Sequence, residues 1–255
     1  MRNFLYIIIG ILGLVEVTYS STRGDVKIIE ATENIQYLSQ KIATDYFFFY
    51  ENSEDSRLKT QLYRNIDNLQ FYIADITDIT DKKEGINTKN ILDFFTYSIE
   101  EFKQVPNKKI NLVNAGSILD YSEELLEGAR NIAKEHKYKF SKEEKMLMLS
   151  KEVQYLLERV MKYYIAFQIG LNSTTNHQEM KKAIDEIDRS LKHIGRYNYP
   201  EELKEKLEQI NSIWGWNKNS FNKLDKSSIP HLLLDSTQYI EKLLTSIEQY
   251  HKKNL

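Results

Sequence analysis

Gln36, Ser39, Gln40 and Lys41 fall within two turns of one predicted helix. They would set amide, hydroxyl and ammonium groups close together beside an apolar stripe, a combination suited to a small polar ligand. The same four residues could equally form a polar flank that fixes helix register or a dimer seam. Gln154 and Arg159 occupy the matching face of a second, similar stretch, and the same two readings apply there. Other chemistry has weaker support. Glu248-x-x-His251 matches half of a di-iron bundle motif, but no second Glu-x-x-His accompanies it. His231 and Asp235 lie one turn apart, a spacing more often used for a surface ion pair than for a metal. The chain contains no cysteine, so it has no thiolate nucleophile, no disulfide and no Cys-based zinc site. No Ser-His-Asp grouping and no Gly-rich phosphate loop stands out. The expectation is a non-enzymatic protein without a cofactor or a metal.

Charge narrows the partners. The 35 basic and 37 acidic residues are closely interspersed and leave a net charge of −2. Without a basic stripe to neutralise phosphates, nucleic acid is an unfavourable partner.

The elements that position these residues are helices. Only 3 prolines and 9 glycines punctuate the 255 residues, and apolar residues recur at steps of three and four. One stripe runs Ile35, Leu38, Ile42, Tyr46, Phe49, and the next Leu62, Ile66, Leu69, Ile73, Ile76. Ile91, Phe95, Ile99, Phe102 and then Ala115, Leu119, Ser122, Leu126, Ala129 make two more. The second half repeats the pattern. Ile35-Gln36-Tyr37-Leu38 returns 118 residues later as Val153-Gln154-Tyr155-Leu156, and Tyr46 and Phe49 return as Tyr164 and Phe167. A register held this long marks duplication of a domain-sized unit. Short connections make successive helices antiparallel neighbours. Ser141 with Glu144, Asn176 with Glu179, and Pro200 before Glu201-Glu202 read as helix starts. The predicted fold is all-α, with two consecutive up-down four-helix bundles, residues 21–138 and 139–255. Lys134 to Phe140 lacks Gly and Pro, so the fourth helix is expected to run almost directly into the fifth, giving an elongated rod. Tyr46 to Tyr50 is aromatic all round its helix, so part of it should meet something beyond its own bundle.

Tyr37-Leu38-Ser39-Gln40-Lys41-Ile42-Ala43 resembles the M-L-S-Q-R-(M/I)-A core of the first helix in PilJ-like domains. These are the N-terminal domains of type IV pili methyl-accepting chemotaxis transducers, and they also form the periplasmic part of nitrate/nitrite sensor kinases. The second copy is similar at Lys162-Tyr163-Tyr164-Ile165-Ala166, at Gly170-Leu171 and from Glu179 to Ile184. A helix with Trp214 and a proline before Leu233-Leu234 follow in the family's order. The resemblance covers most of 27–255 and implies an extracytoplasmic four-helix sensory bundle, often dimeric. Such bundles bind a small ligand or relay a movement. The family pattern A-G-x-x-R-M-L-S-Q-R departs here at telling positions. Its first Arg, which grips the anion in nitrate sensors, is Gln36 and Gln154; its Gly is Glu33 and Lys151; its Ser-Gln becomes Leu157-Glu158 in the second copy. An amide lacks the guanidinium's fork of donors, so nitrate is not the expected ligand of either copy.

The first 20 residues have the form of a secretory signal peptide. Arg2 precedes an apolar run from Phe4 to Val15, and Thr18-Tyr19-Ser20 offers small residues at a cleavage site. An uncleaved N-terminal anchor is the alternative. The sequence thus predicts an exported, periplasmic sensory or ligand-binding protein for a small polar or anionic ligand. With the chain ending at Leu255, it is expected to relay through a membrane sensor or transducer, with homodimerisation as in the family. The competing expectation is a periplasmic structural adaptor of an envelope complex.

Overall fold

A computed structural model of the chain describes residues 2–80, 86–136, 138–222 and 229–255, with side chains from residue 24 onward except 86–87 and 106. The leader segment and its cleavage site lie outside the residues whose side chains are described. The protein is all-α: the described residues form eight α-helices and one short 3₁₀ turn, with no strand among them. The helices are α1 (Arg2–Glu51), α2 (Ser56–Thr80), α3 (Ile86–Gln104), α4 (Leu112–Glu135), α5 (Lys142–Gln168), α6 (Thr174–Ile194), α7 (Glu201–Phe221) and α8 (Pro230–Lys253). Among the described residues, no helix is long and apolar enough to cross a membrane.

Local chemistry sets the helix ends. Ser141 accepts from the Glu144 N–H while the Glu144 carboxylate accepts from the Ser141 N–H, completing the expected capping box. α6 starts earlier than the sequence suggests. Its cap is Ser173, whose hydroxyl accepts from the Asn176 N–H, and Asn176 instead donates its side-chain amide to the Leu171 carbonyl. α5 ends where Gly170 takes a positive φ of 102°, letting the Leu171 N–H reach back to the Ala166 carbonyl. That left-handed turn closes the helix at little cost only for glycine.

α1 packs against α2 and α4, α2 against α3, and α3 against α4. α5 packs against α6 and α8, and α7 against α8. Asp188 on α6 ties that helix to α7 by accepting from Trp214 Nε1 at 2.7 Å and from Lys218. Beyond these neighbours, α1 and α5 pack side by side. Lys151 reaches Asn34, and Glu158 meets both Lys41 and Thr44, so the two helices run parallel with repeat-related residues abreast. The rod of bundles in series does not describe this lateral packing. Nor does α4 run into α5: α4 stops at Glu135, and His136 turns to an extended conformation. There the His136 ring meets Asp25 at 3.0 Å.

Lateral packing accounts for the aromatic run. Tyr46, Phe47, Phe48 and Phe49 are all buried, because α1 is covered by its own neighbours on one side and by α5 on the other. A helix apolar all round is a buried helix. α5 is likewise buried on every face from Tyr155 to Ala166.

A pair of acid–histidine ties closes each half. In the first, Asp25 near the start of the described part of α1 meets His136 just after α4. In the second, Glu143 in the first turn of α5 meets His251 in the last turn of α8, with Nδ1 at 2.5 Å from Oε2. Asp25 and Glu143 stand 118 residues apart, the repeat distance. Tyr197 donates to Glu143 at 2.6 Å, and this bond with that of His251 holds the carboxyl below its usual range. An ionised Glu143 can only accept, so Nδ1 carries a proton, and Nε2 hydrogen-bonds the Tyr199 hydroxyl 2.8 Å away.

Candidate functional site

The α1–α5 seam carries charge where a bundle core would be apolar. Lys41 lies 3.0 Å from Glu158 and 3.3 Å from Asp45, and all three are buried. α2 holds Asp45 in place, with Gln61 donating at 3.0 Å and Asn65 at 2.6 Å. α8 brings Glu241 to the same cluster. Tyr37 donates to Glu241 at 3.3 Å, and the Glu158 carboxyl acts on Glu241 as a neighbouring acid. Burial and the neighbouring Glu158 push Glu241 well above the usual carboxyl range. Burial pulls on the Lys41 ammonium, but Glu158, Asp45 and Glu241 outweigh it and keep Lys41 charged. The cluster sets one ammonium, Lys41, against three carboxyls, Asp45, Glu158 and Glu241, so its acids outnumber its bases.

Two clefts open along the seam, one on each side. The first, of about 630 Å³, lies between α1, α5 and α8. Glu33, Asn34 and Tyr37 line it from α1, Lys151 and Gln154 from α5, and residues between Gln238 and Gln249 from α8. The second, of about 690 Å³, is lined by Glu33 and Gln36 of α1, Glu152 and Tyr155 of α5, and groups from α4 and α6. The repeat relates them. Shifting Asn34, Tyr37 and the Gln154 position by one repeat length lands on Glu152, Tyr155 and Gln36. The two clefts are therefore counterparts across a pseudo-twofold seam.

Their third walls differ in charge. In the first, Tyr37 donates its hydroxyl to an acid, Glu241. In the second, its counterpart Tyr155 accepts from a base, Arg130, at 2.7 Å. Glu33 belongs to both clefts, and burial together with Glu152 pushes its carboxyl up to about 7 against the pull of Lys151. In the first cleft, Glu248 is 8 % exposed and its Oε1 has no hydrogen-bond partner. Burial raises its pKa, with Lys151 and Lys252 opposing.

The residues singled out from sequence separate here. Gln36 donates to Glu33 at 3.3 Å and lines the second cleft. Gln154 reaches the Glu241 carbonyl at 3.5 Å and lines the first. Lys41 sits in the buried cluster that Glu241 links to the first cleft. Ser39 and Gln40 line neither cleft: Ser39 donates to the Gln36 carbonyl, and Gln40 donates to Ser39 and to the Ser122 carbonyl of α4. Arg159 turns to Glu123 at 2.6 Å and Glu179 at 3.0 Å. Lys162 joins it on Glu123 and bonds Ser122 at 3.0 Å. In this second ionic group two acids, Glu123 and Glu179, face Arg159 and Lys162, with the exposed Lys182 also on Glu179. Burial raises the Glu123 carboxyl, but Lys162 and Arg159 overcome that and hold it at about 2. Lys162 is drawn down to about 8, because its complete burial outweighs the pull of Glu123.

Tyr37, Asp45, Glu158 and Glu241 were not singled out from sequence as ligand-binding residues, and Glu248 was noted there only as half of a di-iron motif. A signal existed for two of them. Glu241 and Glu248 follow the core residues Ile240 and Ile247 and stand seven apart, so they share one flank of α8. Glu248 and His251, paired as half a di-iron motif, diverge: Glu248 faces the cleft and His251 faces Glu143. Among the described residues, no group of three or more His, Asp or Glu side chains could hold a metal ion.

In comparisons with known proteins, no family model, no curated protein and no solved structure matches the chain.

Proposed function

We propose that this protein is an exported, non-enzymatic sensory bundle that binds a small polar ligand beside the α1–α5 seam and passes the event to a membrane-bound partner. Its organisation is taken to be two up-down four-helix sets, α1–α4 and α5–α8, joined laterally through their first helices. This is the arrangement expected of tandem PilJ-like domains placed side by side. The observation that carries the reading is the pair of counterpart polar clefts flanking a buried, charged seam. Buried ionic groups add little to stability compared with apolar packing, so a seam built from them invites a role in recognition or switching. A ligand entering either cleft touches α1 and α5 together, and so acts on both halves at once. One chain already supplies two copies of the unit, so the single chain is taken as the binding unit.

The test is a thermal-shift panel on the purified protein with nitrate, nitrite, succinate, amines and amino acids, followed by calorimetry. A saturable shift with any of them supports the reading. Absence of a shift with all of them, together with no membrane protein recovered on pulldown, rejects it.

A second reading, a structural adaptor, rests on exposed aromatic side chains. Phe71 on α2 and Tyr97 on α3 are 66 % and 56 % exposed, and Ile73, Ala74 and Ile99 of the same two helices line a groove. Replacing both by Ser leaves ligand shifts unchanged under the first reading and abolishes partner recovery under the second.

A further inference from the structure

We propose that the cleft between α1, α5 and α8 takes a primary ammonium group, with Glu248 and Glu241 accepting its N–H donors. The inference rests on the reading of the chain as a small-ligand binder and names the ligand's chemistry.

Four observations converge on it. First, the Glu248 carboxyl is more than nine-tenths buried, lines the cleft and leaves Oε1 without a partner. A buried acceptor left unpaired costs free energy, which a ligand N–H donor would recover. Second, the cleft also presents Glu33 and Glu241, whereas its lysines are Lys151, already directed at Asn34, and Lys242, exposed on the rim. Third, the cluster behind Glu241 holds Lys41 against Asp45, Glu158 and Glu241, so a cation beside it relieves an existing imbalance. Fourth, in the group around Arg159 and Lys162, where Lys182 also reaches Glu179, acids do not outnumber bases, which separates this side of the seam from the other.

The carboxyls add a thermodynamic signature. Burial disfavours ionisation of Glu33, Glu241 and Glu248. A cation bound among them favours the ionised forms, so binding near neutral pH releases protons. An ammonium can come from a free amine or from an amino acid, whose carboxylate would then lie toward Lys151 and Lys242.

Calorimetry at pH 7 on the whole protein uses ethanolamine and putrescine as amines, L-alanine as amino acid, and tetramethylammonium as a cation without N–H donors. Nitrate and succinate serve as anions. The expected result is binding of an amine or of L-alanine, no binding of tetramethylammonium, and about tenfold or greater weakening in Glu248→Gln. Glu201→Gln, which removes an exposed acid from α7, leaves affinity unchanged. Binding of L-alanine alone assigns an amino acid; binding of the amines assigns a free amine. Should Glu248→Gln fail to fold, titration of the unaltered protein in two buffers of different ionisation enthalpy decides the matter. Proton release supports the proposal, and its absence overturns it. Equal binding of tetramethylammonium, or binding of the anions alone, overturns the ammonium assignment but leaves a ligand-binding protein. No response to any probe overturns both.

Discussion

Single side chains in this protein are set against their own desolvation. Glu33 is the sharpest case, since its carboxyl is pushed up to about 7 by burial and by Glu152. A carboxyl with a raised pKa binds more protons folded than unfolded, so it costs stability as pH rises through that value and costs nothing in acid. Glu33→Gln is therefore expected to raise stability by about 1–2 kcal/mol at pH 8 and to change little at pH 4, as read by urea unfolding; the residue's remaining solvent contact keeps the gain below that of full burial. Glu123 has the opposite sign. Lys162 and Arg159 hold it at about 2 against its burial, so its contribution is present at neutral pH and is lost as pH falls from the ordinary glutamate range through about 2. Glu123→Gln is expected to flatten the acid limb of the pH–stability curve. Lys41 stands between three carboxyls. Lys41→Met leaves Asp45 and Glu158 uncompensated and is expected to cost about 3–5 kcal/mol, recovered in large part when Glu158→Leu is added.

At the level of elements, close approach and end ties matter more than helix propensity. α3 and α4 meet where Gly128 faces the ring of Phe95, and a Cβ there would overlap that ring. Gly128→Ala gains helix propensity and still is expected to lower stability by about 1–3 kcal/mol, because the fully buried Phe95 ring would have to shift within the core. The outcome is read from the shift in urea midpoint at constant slope. Each half is also tied shut at one end, by Asp25 with His136 and by Glu143 with His251. These ties answer the question that spacing alone left open for the histidines. No pattern within one helix reveals them, since each partner lies more than a hundred residues from the other.

Across the whole molecule, α1 and α5 make the two halves one core. Both tryptophans, Trp214 and Trp216, sit on α7 and report only on the second half, while circular dichroism reports on every helix. With the seam as packed as it is here, the fluorescence and dichroism unfolding curves are expected to coincide. Separate transitions would mean that the seam contributes little.

The chain's periodicity determined a good deal by itself. Scarce breakers and stripes of three and four made helices inevitable, and the shared register of Tyr37 with Tyr155 and Gln36 with Gln154 spelled out an internal repeat of pattern. Register also brought attention to the polar positions of α1 and α5, because amides and a lysine beside an apolar stripe are visible in one dimension. Only the tertiary structure decided what those positions face. A helix pattern fixes which residues share a side but not which helix will cover that side, and the stripes are equally compatible with halves stacked end to end or laid abreast. Side-by-side packing of α1 on α5 buried the aromatic run, set Lys41 against Glu158, and brought Glu241 and Glu248 from the far end of the chain to the seam. Complementarity between distant surfaces is a property of pairs, and local sequence records only the members.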